Sequence, residues 1–289
     1  MDRDPAVGGH LLNMGAVVKQ IAGEILGSEG PLVTREGRIF LVEPRTGSIF
    51  EIGEGGQKKL LAHTGGIPAG LQLHRDGSIW VADMKLGILR VTLAGEISAM
   101  VSAFGGEPIR GCNDCSFDSE GNLYFTAPAG SSGEAPIGEV FCRLANGEVR
   151  KLGDGFAFCN GIAISADDRL LIIAETATKR LHGYRLGAPG QVMEKFIFAT
   201  LPGEHRGGPD GIDFDERGRL IATNWGAPYL EVFAPDGTLE TRFSLPFDKP
   251  SNVHFTGPGS RGLLITEHTH CGLWKTEWEC AGQPQFGWR

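Results

Sequence analysis

One form recurs six times along this chain and restricts its fold more than any other feature: an alternating strand, a turn that usually ends in glycine, and a second strand. The copies read EGPLVTREGRIFLVE, AGLQLHRDGSIWVAD, NDCSFDSEGNLYFTA, NGIAISADDRLLIIAE, DGIDFDERGRLIATN and NVHFTGPGSRGLLITE. Each has the period-two alternation and the turn residues of a β-hairpin. A further strand pair usually follows, as in GSIFEIGEGGQ, GILRVTLAGEI, GEVFCRLANGEV and YLEVFAPDGTL, with Asn-Gly, Asp-Gly or Gly-rich turns. Four strands per unit at a period of roughly 45 residues predict an all-β fold: a six-bladed β-propeller with four antiparallel strands per blade around a central channel. The alternation excludes a helical array. Residues Ala16 to Ile21 (AVVKQI) precede the first unit and are expected to supply the outer strand that closes the ring on the last blade. The expected organisation is an N-terminal extension at 1–15 and a single propeller domain at 16–289.

The 44 glycines and 16 prolines fit such a turn-rich fold. A formal net charge of −8 excludes a nucleic-acid partner, which needs clustered Lys and Arg. The start, MDRDPAVGGHLLNMG, lacks a basic segment followed by an apolar core, and no apolar run reaches the length of a membrane helix. The chain therefore reads as soluble and cytoplasmic, with no membrane partner. Its six cysteines, at 112, 115, 142, 159, 271 and 280, are sparse for a disulfide scaffold and are expected to be reduced. A closed propeller has few free strand edges, so a monomer is expected.

Aligning the six hairpins on their turns brings Glu29, Ala69, Asn113, Asn160, Asp210 and Asn252 to one register. The first strand of each blade lines the channel, so equivalent positions form a ring at one height. Singly, Asn and Asp at strand starts cap turns. Five oxygen acceptors at one register point instead to a shared site, and glycine follows four of the six positions, as crowding near an axis requires. Carboxylates and amides without Cys or His suit a hard cation, calcium before magnesium or zinc. A calcium ion with open coordination can polarise a phosphoryl or carbonyl oxygen while a neighbouring carboxylate attacks or activates water, which points to hydrolysis of a small-molecule substrate. Asp210, in GGPDG, is the candidate nucleophile or base, and Glu29 the charge-balancing ligand; the reverse assignment is open.

Asp213 and His254, a few residues beyond ring positions, suggest a second tier. In GCNDC the functional candidate is Asn113; Cys112 and Cys115 read as small apolar side chains, because no second Cys-x-x-Cys completes a zinc tetrad. Trp225, Phe158 and Ser251 lie where strands end near a channel mouth and are candidate pocket residues. His268, in TEH, is a candidate catalytic base or polar wall residue.

The stretches GIPAGLQLHRDG, GCNDCSFDSEGNLYFTAPAG, FCNGIAI, AETATK, GEHRGGPDGIDFDE, NWGAPYLEVFAPDG, PFDKPSNVHF and TEH resemble the calcium-dependent six-bladed propellers of the senescence-marker and gluconolactonase group. The resemblance runs over most of the chain from Glu29 onward. It implies a catalytic calcium held by Glu29, Asn113, Asn160 and Asp210, with Asn252 beside it in the pocket. It also implies a second, structural calcium at Asp213, His254 and the Val253 carbonyl. The activity it implies is hydrolysis of the phosphorus–fluorine bond in organophosphorus fluorides, by Asp210 attack or by a calcium-activated water.

The alternative is a calcium-dependent sugar lactonase. Against it, the lactonases of this group carry Arg two positions before the motif's Asn, where this chain has Gly111. A third reading is a non-catalytic propeller that binds protein partners on its rim. Two departures bear on substrate range: the loop SSGEAPI after APAG is shorter than the family's, which supplies a Tyr and an Arg to the pocket, and the loop after LVEP is also short.

Overall fold

The computed structural model describes residues 10–11 and 17–289. The inner strands of its six blades are Glu29–Val33, Pro68–Leu73, Cys115–Phe117, Cys159–Ile164, Gly208–Phe214 and Pro250–Phe255. Each begins a sheet of four antiparallel strands, and the inner strands pack side by side in a closed circle, the last against the first. The hairpin pattern of the sequence thus becomes blades, because each hairpin has apolar side chains to bury on both faces. Leu32, Phe40 and Ile49 of the first blade and Phe125 and Phe141 of the third are fully shielded between sheets. Burial of this kind stabilises by about 1.5–3 kcal/mol per large side chain.

Ring closure is as expected. Lys19–Ala22 pairs antiparallel with Gly272–Glu277 as the outer strand of the sixth blade, so the first blade and the last are joined by strands from both ends of the chain. Ala16 and the remainder of the expected 1–15 extension lie outside the described residues, except for His10–Leu11, which adds a short parallel strand beside Thr241 and Arg242 of the fifth blade.

Inner strands run from one mouth of the channel to the other, and the C-terminal tail covers the mouth at which they end. Trp288 Nε1 donates to Val33 O at 2.9 Å and Arg35 Nε to Gly287 O at 2.8 Å, both on the first blade. Gln283 Nε2 donates to Ile164 O of the fourth blade at 2.7 Å. The Arg75 guanidinium of the second blade stacks 4.5 Å over the Phe286 ring. This plug leaves the opposite mouth, where the inner strands begin, as the open approach to the channel.

All six cysteines are free, and five of them are buried. Burial pushes the Cys112 thiol up to about 12, so it behaves as an apolar side chain rather than a nucleophile.

Candidate active site

Near the axis, adjacent inner strands approach too closely for side chains on both. A Cβ on Gly70 would stand 2.9 Å from Asn113 O, and one on Gly161 would collide with Asp210 O. Glycine at these positions lets the ring residues of the next blade reach the open mouth.

Four of the five acceptor positions touch there in pairs across the seams between blades. Asn252 Nδ2 donates to Glu29 Oε2 across the seam between the last and first blades. Asn160 Nδ2 donates to Thr176 Oγ1 at 3.1 Å, and Asn160 also hydrogen-bonds the Asp210 carboxylate. Asn113 sits at the same register, its N–H donating to Thr126 O at 3.0 Å. Asp210 is 7% exposed and pairs with no cationic side chain among the described residues. Burial, and then the charges of Glu29 and Asp114, hold its pKa well above the usual carboxylate range. Glu29 and Asp210 bring two carboxylates into this enclosure, met by amide N–H groups and, at Glu29 alone, by the His268 imidazole. The donor chemistry therefore fits a hard cation held by oxygen.

His268 stands beside Glu29. Its Nε2 lies 3.1 Å from Glu29 Oε1, an ion-pair separation without the alignment of a hydrogen bond. Trp225 Nε1 donates to His268 Nδ1 at 3.1 Å, so the neutral ring carries its proton on Nε2, the nitrogen facing Glu29. Burial disfavours the charged ring, but the contact with Glu29 and its charge outweigh that and raise the pKa.

A set of hydroxyls that the sequence reading missed holds the ring residues in place. Thr126 Oγ1 donates to Asn160 O at 2.6 Å and Thr176 Oγ1 to Pro209 O at 2.8 Å. Thr223 Oγ1 lies 3.2 Å from Ser251 O, and Ser251 Oγ donates to Ser28 O at 2.8 Å. Each bond runs from one blade to the backbone of the next, at or beside a ring residue. Ser251 accordingly departs from the expected pocket role: it is fully buried, with its hydroxyl committed to Ser28 and Thr266.

Asp114 was also missed. Its oxygens accept from Cys115 N at 2.8 Å and from Ile162 N at 3.2 Å, and its side chain lines the channel below the ring. Burial, opposed by those two N–H donors but reinforced by the charges of Glu29 and Asp213, raises its pKa to about 7. The available signal was its place immediately after Asn113.

Deeper in the channel, Asp213 Oδ2 lies 3.9 Å from His254 Nδ1 and accepts from Gln285 Nε2 of the plug at 3.3 Å. His254 is buried, which pulls its pKa down to about 4, and its Nε2 has no hydrogen-bond partner. Val253 lines the same small cavity. A neutral imidazole, a carboxylate and a nearby strand carbonyl can hold a second cation.

Phe158 and Trp225 line one pocket of about 830 Å³ at the open mouth, with Thr176 between them and the ring. This is the size of a small-molecule site. Phe158 has a left-handed backbone (φ 68°), fixed by its N–H donating to Ser131 Oγ at 2.9 Å and its carbonyl accepting from Thr176 N at 3.0 Å.

A six-bladed propeller with buried carboxylates and amides at one mouth of its channel, beside an aromatic-walled pocket, defines a class built to act on small molecules. Residues 27–269 match the SMP-30/gluconolactonase/LRE-like region, and the chain belongs to that family, which includes hydrolases. It is 38% identical to the diisopropyl-fluorophosphatase of Loligo vulgaris over 92% of this chain and 94% of that protein. It is 31% identical to lactonase drp35 of Staphylococcus epidermidis, over 75% of this chain and 69% of the relative. Among solved structures, regucalcin from Agrobacterium tumefaciens superposes with a TM-score of 0.81 at 21% identity, covering 94% of this chain and 97% of that one.

Proposed function

We propose that the protein is a calcium-dependent hydrolase that cleaves the phosphorus–fluorine bond of organophosphorus fluorides. The observation that supports this most is Asp210: a buried carboxylate without a cationic partner, among oxygen donors, in a chain 38% identical to a diisopropyl-fluorophosphatase. Glu29, Asn113, Asn160 and Asp210 would hold the catalytic ion, and Asp213, His254 and the Val253 carbonyl a structural one. Calcium bound at the ring would act as a Lewis acid on the phosphoryl oxygen.

Asp210 has two routes open to it. It attacks phosphorus, a P–O bond forms as the P–F bond breaks, fluoride leaves, and water then hydrolyses the acyl phosphate. Alternatively it takes a proton from a water that attacks phosphorus directly. Asn252 orients Glu29 through its amide, while Trp225 holds His268 so that its Nε2 proton faces Glu29. Phe158 and Trp225 supply apolar walls for the alkyl groups.

A lactonase is the second reading, favoured by the 31% identity to lactonase drp35. There the same oxygens would activate a lactone carbonyl. In keeping with the closed ring we propose a monomer in the cytoplasm. The deciding experiment measures fluoride release from diisopropyl fluorophosphate and opening of gluconolactone, with calcium and with excess chelator, for the native protein and Asp210→Asn. Calcium-dependent fluoride release lost in the variant is expected. Lactone opening without fluoride release assigns the second reading, and turnover of neither substrate overturns both.

A further inference from the structure

The pocket above the ring has a cationic wall in a chain whose net charge is −8. Lys179, His205 and Arg206 line one side, and Glu134 is the one carboxylate among the lining residues. None of these basic side chains is neutralised by an acid among the described residues.

Their hydrogen bonds show why. Lys179 Nζ donates to Gly207 O at 2.9 Å and lies 3.2 Å from His205 Nε2. That nitrogen is also 2.9 Å from Asn224 Oδ1. Asn224 cannot reverse its amide, because its Nδ2 donates to the buried Glu231 Oε1 at 2.9 Å. Its Oδ1 therefore accepts the proton of His205 Nε2, and Lys179 faces an N–H rather than a lone pair. Glu231, the nearest acid in this network, is already paired with Arg242 at 2.9 Å. Lys179 thus keeps an uncompensated charge, and burial lowers its pKa. Arg206 is exposed at the lip with no ion pair.

Across the pocket, Ser131 Oγ accepts from Phe158 N at 2.9 Å and Ser132 Oγ from Ala135 N at 3.2 Å, which leaves both hydroxyl hydrogens free to donate. Cations and O–H donors face a space whose floor, Thr176, is one hydrogen bond from Asn160.

We propose that this pocket selects substrates that carry an oxyanion group, a carboxylate or a phosphate, apart from the bond to be cleaved, with Arg206 and Lys179 as its recognition residues. The inference rests on the hydrolase reading in taking the ring as the reacting centre.

The test is a calorimetric titration of the calcium-loaded protein with benzoate against benzamide, and with phenyl phosphate against phenol, for the native chain, Arg206→Gln and Arg206→Glu. Arg206 is at the surface, so both variants are expected to fold, as circular dichroism would verify. Benzoate is expected to bind at least about tenfold more tightly than benzamide, and Arg206→Glu to remove most of that preference, as for one charge-assisted contact. The phosphate pair shows which oxyanion is favoured. Equal binding of charged and neutral probes, no binding of either anion, or a preference unchanged in Arg206→Glu overturns the inference, the last because the ring cation alone would then hold the anion. Turnover of diisopropyl fluorophosphate and gluconolactone by the same native preparation reports on the hydrolase reading separately.

Discussion

Thr126 Oγ1 donates a 2.6 Å hydrogen bond to the carbonyl oxygen of Asn160, fastening the second strand of the third blade to the inner strand of the fourth at a ring residue. The same hydroxyl accepts from Asp114 N at 3.1 Å. Thr126→Val keeps the shape and removes both bonds, leaving a buried carbonyl and a buried N–H unsatisfied at a loss of about 1–3 kcal/mol in stability. Because the carbonyl belongs to Asn160, calcium affinity is expected to fall about tenfold, by analogy with groups that orient metal ligands, with Thr126→Ser restoring it. Calcium titration followed by protein fluorescence checks this, and an affinity equal to the native value in Thr126→Val would sink it.

Asp210→Asn separates stability from catalysis. In chelator, removing a buried carboxylate that has no cationic partner is expected to raise the unfolding midpoint, since the charge is desolvated without compensation. With calcium, turnover is expected to fall by about a thousandfold or more, as when a nucleophile or base is removed. Paired thermal melts and initial rates test both halves, and a variant that is less stable than the native chain in chelator contradicts the electrostatic account.

The chelated protein is expected to lose stability as pH rises from about 4 to 7. Asp114 and Asp213 ionise near 7 when folded and near 4 when unfolded. Through that window the unfolded chain has released protons that the two folded carboxyls retain, while His254, kept neutral by burial, opposes the trend up to about 6.5. The carboxyls outweigh it, so folding becomes less favourable as pH rises, by roughly a few kcal/mol net. A bound cation would favour the ionised forms and reverse the trend. Denaturant titrations at both ends of this range, with chelator and with calcium, measure it; a chelated protein more stable at the alkaline end is the contrary result.

His268 touches Glu29 and Trp225, so its loss should act on the first through charge and on the second through position. His268→Gln retains polarity and is expected to reduce turnover about tenfold, while His268→Phe, which deprives Glu29 of the facing Nε2, is expected to lower calcium affinity as well. Rates and calcium titrations of the two variants distinguish these effects, and identical calcium binding in both would make His268 a wall residue only.

Much of this molecule is legible in its residue order. Six hairpins at one spacing determine six blades, since the alternation and turn residues that form a blade lie within its own stretch of chain. The same register places Glu29, Asn113, Asn160, Asp210 and Asn252 at one height, because a repeated strand puts repeated positions on the channel wall. What the order of residues leaves open is everything between blades. The hydroxyls of Thr126 and Thr176, the turn of Ser251 away from the pocket, the burial of Asp114 and the tail that plugs one mouth all depend on contacts between segments far apart in sequence. So does the meeting of Lys179, Arg206, Phe158 and Trp225 in one pocket. Local alternation encodes which face of a strand is buried; only the closed ring decides which neighbour that face meets, and therefore which charges are left without a partner.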